Sequence, residues 1–292
     1  MKKLLIAGLS GRTGRYFLNE INNKKLNDYE IYATVRNTDT VLDGNINKVI
    51  IDLDDFNKLN EFLVGFDTVF HIVNIKKSVN VVKAAINNNV RWVILVHTTG
   101  IYSKFKSASQ EYIEIEKQIE DLIKDTNTKI TILRPTMIYG SLDDQNMSFF
   151  IKMVNKLKIF PIVNNGKYYL QPVHQEDLGK AYYSVLINED KTIGNNYNLS
   201  GKDKLYLIDI LKTISNKLNK KTIFISIPFS IAYFGGWCVY LLSFTKIDLR
   251  EKIQRLVEPR AYDHDDAIKD FNYSPIPFEE GIGREIDLFK AK

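Results

Sequence analysis

Cysteine and histidine are scarce in this 292-residue sequence. The single Cys238 excludes an intramolecular disulfide, and the four histidines are too dispersed to suggest a metal site. We therefore expect no bound metal and a reducing, cytoplasmic environment. Acidic residues number 35 against 40 basic ones, and because the lysines are scattered, the excess does not favour a nucleic-acid partner. A hydrophobic fraction of 45% is typical of a globular protein.

Charged residues are missing from one long segment, residues 222–245. Its length approaches that of a membrane span. However, Pro228 and Gly235-Gly236 interrupt it, and isoleucines alternate with other residues from Ile223 to Ile227, as in a strand. We favour a strand followed by a buried or surface-capping helix. Weak contact with a membrane surface is the alternative.

The N-terminus contains an apolar run, a glycine-spaced turn and a helical pattern in direct succession. Gly8 permits a tight turn, Gly11 lets the backbone approach a phosphate, and Gly14 lets the helix pack closely on the strand. The start of the helix offers N–H groups and the positive end of the helix dipole to a pyrophosphate. This arrangement predicts a dinucleotide site. The other predicted contacts from the turn are Ser10, Arg12 and Thr13.

The first half of the chain alternates strand and helix patterns. The pattern predicts strands at 3–7, 30–35, 48–51, 67–72, 92–97 and 129–133, and helices that include 76–89 and 109–125. Such alternation predicts an α/β fold, a Rossmann-type doubly wound parallel sheet with ligands beyond the carboxyl ends of its strands. We expect a dinucleotide-binding domain over residues 1–165 and a smaller, mixed substrate lobe over 166–292, with segments interleaved with the sheet.

A series of motifs follows the glycine turn along nearly the whole chain. They are Asp52-Leu53, residues 67–71 and 98–102, Leu133-Arg134-Pro135 with Ile138-Tyr139-Gly140, residues 197–201, Tyr273-Ser274-Pro275 and Glu279-Glu280-Gly281. In this order they resemble the extended short-chain dehydrogenase/reductase family, and within it the NAD(P)-dependent epimerase/dehydratase proteins. The resemblance implies further cofactor contacts from Asp52 and Leu53 at the adenine, Ile72 and Val73 at the adenosine, and Pro135, Met137 and Ile138 at the nicotinamide. Asp52 is alternatively a helix cap.

The choice between NAD and NADP depends on the end of the second strand. An NAD-binding protein usually offers a carboxylate there, but no acidic residue lies between Ile31 and Thr38. Arg36 instead provides a planar cation suited to a phosphate, and Arg12 could approach the same group. We favour NADP over NAD; a solvated charge at the strand end is the alternative for Arg36.

The catalytic residues implied by the resemblance are a Ser or Thr, a Tyr, and a Lys four residues after the Tyr. The lysine stabilises the phenolate because the ordinary pKa of tyrosine is too high for a base at neutral pH. Thr98 and Tyr112 match the first two positions, but Glu116 occupies the third. A carboxylate there would raise the pKa of Tyr112, and Lys117 is rotated by about 100° around the helix.

A second pair, Tyr102 and Lys106, has the right spacing, but Tyr102 directly follows a predicted strand and is interpreted as structural. Lys104 or Lys106 could still reach toward Tyr112. On the substrate side, Arg260 resembles an arginine that contacts a substrate diphosphate, whereas His174 is interpreted as a core residue.

Three functions follow from these features. The first is an NADP-dependent oxidoreductase or epimerase acting on a sugar nucleotide or a related carbonyl or hydroxyl compound. The second is a catalytically silent dinucleotide-binding sensor or accessory subunit. The third, a membrane-associated reductase of a lipid-like substrate, rests on residues 222–245. A homodimer through helices of the first domain is a further expectation.

Overall fold

The computed structural model describes residues 1–37, 39–144, 146–242, 253–255 and 257–291. The chain forms two compact units from interleaved segments. The first comprises Met1–Pro135, Gln175–Leu199 and Asp263–Ser274, and the second comprises Thr136–His174, Ser200–Tyr262 and Pro275–Lys292.

The described strands and helices are as follows in chain order. The strands are β1 (Lys2–Ala7), β2 (Tyr29–Val35), β3 (Asn47–Ile50), β4 (Thr68–His71), β5 (Trp92–Val96), β6 (Lys129–Pro135), β7 (Ile138–Tyr139), β8 (Ile159–Val163), β9 (Tyr169–Leu170), β10 (Val173–His174), β11 (Asn196–Leu199), β12 (Leu205–Tyr206) and β13 (Ile223–Ile227). The helices are α1 (Arg12–Lys24), α2 (Phe56–Phe62), α3 (Ser78–Asn87), α4 (Lys106–Ile123), α5 (Met147–Lys156), α6 (Gln175–Ile187), α7 (Glu189–Thr192), α8 (Leu207–Lys217), α9 (Phe229–Leu242), α10 (Asp265–Phe271) and α11 (Phe278–Lys290).

The first unit is built on a seven-stranded sheet in the order β11-β6-β5-β4-β1-β2-β3. Neighbouring strands run parallel throughout. All five residues of β5 are buried, because helices cover both faces of the sheet. On one face the rings of Phe17, Phe70 and Tyr182 pack with centroids 5.0–5.8 Å apart. This is the predicted Rossmann-type α/β fold.

The parallel arrangement brings the carboxyl ends of the strands to one edge of the sheet. The glycine turn follows β1, Arg36 follows β2, and Ile72 follows β4. Thr98 lies two residues beyond β5. Residues that are far apart in the sequence therefore meet at the edge where ligands of such sheets bind.

The second unit contains three two-stranded sheets, β7 with β10, β9 with β12, and β8 with β13. Its core forms around α5, α8 and α11, which bury residues such as Ile151, Ile210 and Ile282. Residues 136–165, which we expected in the first domain, lie in this unit, because their strands pair with β10 and β13 from later in the chain. Residues 222–242 form the predicted strand and helix. Within the described chain, we find no helix with the length and apolar character needed to cross a membrane.

Candidate functional site

The glycine turn is closed by contacts that only glycine permits. Gly8 has φ +99°, and a Cβ added there would lie 3.0 Å from Val73 Cγ2. A Cβ at Gly14 would lie 2.2 Å from the carbonyl oxygen of Gly8. The N–H of Gly11 donates to the same carbonyl at 2.9 Å. A side chain at position 8 or 14 would therefore displace either the turn or the start of α1.

The start of α1 fits a phosphate. Gly11 is the N-cap, no side chain caps the helix, and the first turn has no acidic residue. The positive end of the helix dipole is thus not offset by a carboxylate. Arg12 and Gly11 are exposed at this end, Ser10 is half-buried, and Thr13 is buried. The turn therefore supplies backbone groups and Arg12 to a ligand, while Thr13 belongs to the core.

Arg36 lies directly after β2, which is the neighbour of β1 in the sheet. Its side chain is exposed. Because Ala7 and Thr34 are register partners, Arg36 and the glycine turn emerge from adjacent strands at the same edge. A permanently charged guanidinium at this place is suited to a phosphate.

Asp52 has a local structural role. Its carboxylate accepts the N–H of Asp54 at 3.0 Å and pairs with Lys77 Nζ at 3.2 Å. The hydrogen bond from Asp54 and the ion pair hold the pKa of Asp52 below its usual value. The N-cap of α2 is Asp55 rather than Asp52, and Leu53 is buried in the core.

Thr98 and Tyr112 meet at Gly100. A Cβ added to Gly100 would lie 3.2 Å from Tyr112 Cε2 and 3.3 Å from Thr98 Oγ1. Thr98 Oγ1 accepts the N–H of Gly100 at 3.0 Å, which fixes the hydroxyl at the carboxyl end of β5. The absence of a side chain at Gly100 is what allows the threonine and the tyrosine to approach one another.

Glu116 is buried in an ion pair on the inner face of α4. Arg134 of β6 donates to it through Nε at 3.1 Å and through Nη2. His97 Nδ1 lies 2.9 Å from Glu116 Oε1, and His97 Nε2 lies 3.0 Å from Ser78 Oγ. Burial alone would raise the pKa of Glu116, but the hydrogen bonds from His97 and Arg134 and the charge of Arg134 outweigh it and lower that pKa. The carboxylate of Glu116 thus has two partners, His97 and Arg134, that were not predicted from the sequence.

Two further side chains near the candidate catalytic pair have clear partners. Tyr102 donates to Asn198 Oδ1 at 3.1 Å and lies before the start of α4, so it does not share a helix with Lys106. Lys76 Nζ lies 2.7 Å from Glu111 Oε1, and Glu111 precedes Tyr112 on α4. The hydrogen bond and charge of Glu111, with a smaller contribution from Tyr112, raise the pKa of Lys76. Lys76 is thus paired with a carboxylate that neighbours Tyr112 on the same helix.

The residues expected at the nicotinamide divide between the two units. Pro135 ends β6, and its carbonyl accepts Thr99 Oγ1 at 3.2 Å in the first unit. Met137 and Ile138 belong to the second unit, where the Met137 carbonyl accepts the N–H of Val173 at 2.9 Å.

Arg260 lies in the second unit near another arginine, Arg255. The Nε atoms of both are buried and have no hydrogen-bond partner among the described residues. Burial and the charge of Arg255 lower the pKa of Arg260, while Glu258 acts in the opposite direction. Two buried, unpaired Nε donors are suited to an anionic ligand. Arg255 was missed from the sequence because it lies outside any motif.

Comparisons with known proteins bear on the glycine turn and the strands that follow it. Residues 8–149 match a family model described as NAD(P)H-binding. Most of these residues lie in the first unit, and residues 136–149 lie in the second. The match begins at the glycine turn and includes Thr98, Tyr112 and Glu116.

Known proteins similar to the chain include epimerases and dehydratases. N-acetyl-alpha-D-glucosaminyl-diphospho-ditrans,octacis-undecaprenol 4-epimerase from Escherichia coli O157:H7 is 24% identical over 223 residues, which cover 66% of this chain and 67% of the relative. NADH dehydrogenase [ubiquinone] 1 alpha subcomplex subunit 9, mitochondrial, from Arabidopsis thaliana is 21% identical over 43% of this chain and 31% of its own length. The structure of a dTDP-glucose 4,6-dehydratase from Streptomyces venezuelae, with NAD and TYD bound, has a TM-score of 0.74 at 14% identity, covering 99% of this chain and 97% of that one. The predicted resemblance to the epimerase/dehydratase proteins is confirmed.

Proposed function

We propose that the protein is an NADP(H)-dependent oxidoreductase or epimerase acting on a sugar linked to a diphosphate, or on a related carbonyl or hydroxyl compound. The observation that carries the proposal is the convergence of Thr98 Oγ1 and the Tyr112 ring on Gly100, at the carboxyl end of a strand within the residues that match the NAD(P)H-binding model. A hydroxyl and a phenol ring that approach the same residue at this edge are suited to orienting and protonating a reacting oxygen.

Arg36 supports NADP as the cofactor. It is an exposed guanidinium at the end of β2, beside the glycine turn that fits a pyrophosphate. A bound nicotinamide supplies or accepts a hydride. The protein's own contribution to that binding is the phosphate-binding turn and the charge of Arg36.

The proton chemistry is assigned to Thr98 and Tyr112. Thr98 donates a hydrogen bond to the substrate oxygen and fixes its position. Tyr112 donates its phenolic proton to that oxygen during carbonyl reduction and takes the proton back during alcohol oxidation. In the proton transfer of the reduction, the O–H bond of Tyr112 breaks and the O–H bond of the product forms.

Glu116 does not supply the stabilising cation in this scheme, because it is an anion held by Arg134 and His97. Lys76 is an exposed cation paired with Glu111, the residue that precedes Tyr112 on α4.

An anionic ligand of the second unit is assigned to Arg255 and Arg260. Their buried, unpaired Nε donors support an anionic ligand, and a bound diphosphate would satisfy them. The similar proteins point in the same direction, since the Escherichia coli relative is named as a diphospho-sugar epimerase and the Streptomyces structure as a dTDP-glucose dehydratase.

A second candidate function is dinucleotide binding without turnover. It is favoured by Glu116, which occupies the position of the expected lysine and is committed to a buried ion pair. The match to a subunit of mitochondrial NADH dehydrogenase is compatible with a role as an accessory subunit.

Binding and turnover measurements separate the two candidates. NADPH fluorescence on mixing measures binding, and a panel of nucleotide and polyprenyl diphospho-sugars then measures turnover. Tyr112→Phe is expected to lower turnover at least about 100-fold with NADPH affinity unchanged, whereas the control Tyr102→Phe should leave turnover within a few-fold of wild type. Tight NADPH binding with no turnover would favour the silent protein. Failure to bind either NADPH or NADH would eliminate both candidates.

A further inference from the structure

Charge is distributed unequally between the two units. The second unit contains 18 Lys and Arg against 11 Asp and Glu, whereas the first contains 22 against 24. Within the second unit, residues 145–174 and 210–247 contain no acidic residue at all. These two segments provide β8, β13 and α9, which contain no charged residue, and the charges that flank these elements within the segments are all positive.

The outer face of the β8–β13 pair is apolar and exposed. Ile223 pairs with Ile159, and Ile225 pairs with Pro161. Because alternate residues of a strand share a face, these four side chains project to one side of the pair. All four are exposed, whereas Phe160 and Ile162 on the opposite face are buried. A two-stranded sheet with an apolar face in water is unusual unless that face is covered in use.

A single residue separates β13 from helix α9, which also carries exposed apolar side chains. Ile231, Phe234 and Trp237 are spaced by three residues and therefore lie along one side of the helix. The rings of Phe234 and Trp237 stack with centroids 6.2 Å apart. The three isoleucines of the outer face and these three side chains of the helix are 43–63% exposed. We call the outer face of the strand pair together with these three helical residues the apolar surface.

Lysines lie at one end of the apolar surface. Lys158 immediately precedes β8, and Lys220 and Lys221 lie just before β13. The N–H of Ile223 donates to the carbonyl of Lys158 at 2.9 Å, which places these lysines at the same end of the strand pair. All three are exposed.

We propose that the apolar surface docks the second unit onto the surface of an anionic lipid membrane. Tryptophan and large aliphatic side chains partition into the interfacial region of a bilayer, while lysines at the edge attract anionic headgroups. Because neither segment contains an acidic residue, no carboxylate of these segments repels the anionic headgroups. A second copy of the chain is the competing occupant, but like-charged lysines would then face each other across a symmetric interface.

The test is cosedimentation of the full chain with vesicles of phosphatidylcholine containing about one third phosphatidylglycerol, compared with pure phosphatidylcholine. Binding to the anionic vesicles is expected, and it should weaken as salt rises from about 0.05 M to about 0.5 M. Trp237 provides a second readout, because Trp92 is fully buried and insensitive to docking. The emission of Trp237 should shift to shorter wavelength on binding, and Trp237→Phe should remove that shift.

Matched variants assign the binding to this surface. Phe234→Glu is expected to weaken vesicle binding at least about tenfold, since it places a charge at the bilayer interface. The control Leu288→Glu changes an equally apolar, exposed residue on α11 and should bind as wild type does. Lys220→Glu combined with Lys221→Glu should also weaken binding at least about tenfold, whereas Lys129→Glu with Lys269→Glu in the first unit should not.

Two results would overturn the proposal. One is no binding to anionic vesicles at low salt. The other is a concentration-dependent dimer in sedimentation velocity that Phe234→Glu dissociates, without vesicle binding by the wild type, which would assign the surface to a second copy. Neither measurement requires nucleotide or substrate, so the result does not depend on the proposed function.

Discussion

Replacement of Glu116 tests whether its carboxylate stabilises the fold. The sequence alone suggests that Glu116→Lys would restore a catalytic lysine. The structure leads to the opposite expectation, because the new ammonium group would be buried between Arg134 and His97. We expect Glu116→Lys to destabilise the first unit and to gain no activity. Glu116→Gln keeps the shape of the side chain and removes only its charge.

The expected loss of stability follows from the burial of the Glu116–Arg134 ion pair. Glu116 and Arg134 are both less than 10% exposed, and breaking a buried ion pair by removing one partner costs about 3–5 kcal/mol. At about 2–4 °C per kcal/mol for a protein somewhat smaller than this one, Glu116→Gln should lower Tm by roughly 6–20 °C. Glu116→Lys should lower it further, because it adds a second buried cation.

Thermal unfolding followed by circular dichroism measures the effect. The control is Glu120→Gln, one helical turn further along α4, where the side chain is exposed and the change should stay within about 0.5 kcal/mol. Equal Tm values for wild type and Glu116→Gln would refute the structural role. Activity that appears only in a folded Glu116→Lys protein would contradict the expectation that this substitution gains no activity.

Three further predictions concern the turn, the cofactor and a buried carboxyl group. Gly14→Ala should abolish NADPH binding, since its Cβ would lie 2.2 Å from a carbonyl oxygen, whereas Gly235→Ala, which meets nothing within 4 Å, should bind NADPH normally in the same fluorescence titration. Arg36→Asp should shift the ratio of NADPH to NADH affinity at least about tenfold toward NADH, and an unchanged ratio would exclude Arg36 from the phosphate site. Burial and the charge of Asp144 raise the pKa of Glu285 from 4.5 to about 9, so the free energy of unfolding should fall as the pH rises through that interval. Urea titrations of Glu285→Gln should show a smaller fall, and the same pH dependence as wild type would contradict the assignment.

The sheet of the first unit could be predicted in detail because its determinants are local. Short apolar runs bounded by turns predicted 30–35 and 129–133, and the structure has strands at Tyr29–Val35 and Lys129–Pro135. The glycine turn was equally readable, since the steric demands at Gly8 and Gly14 arise within a few residues. The family resemblance also predicted that Thr98 and Tyr112 are candidates for one site.

The environment of Glu116 could not be predicted from its spacing. Its partners are His97, directly after β5, and Arg134 on β6, so their approach depends on how α4 packs against the sheet. The same holds for Arg255 and Arg260, whose unpaired donors depend on burial.

The sequence by itself determined the glycine turn and the parallel sheet, because each follows from local sterics or from periodicity. The candidate proton donor Tyr112 was named from the family resemblance. Only the tertiary structure decided what surrounds those residues. In the structure, Glu116 is a buried ion-pair partner, although its place in the sequence is that of a catalytic lysine. Residues 136–165 belong to the second unit. The structure also revealed that Ile159 and Ile223, 64 positions apart, share one exposed face. Burial and pairing across long sequence separations arise from packing, which the local pattern does not encode.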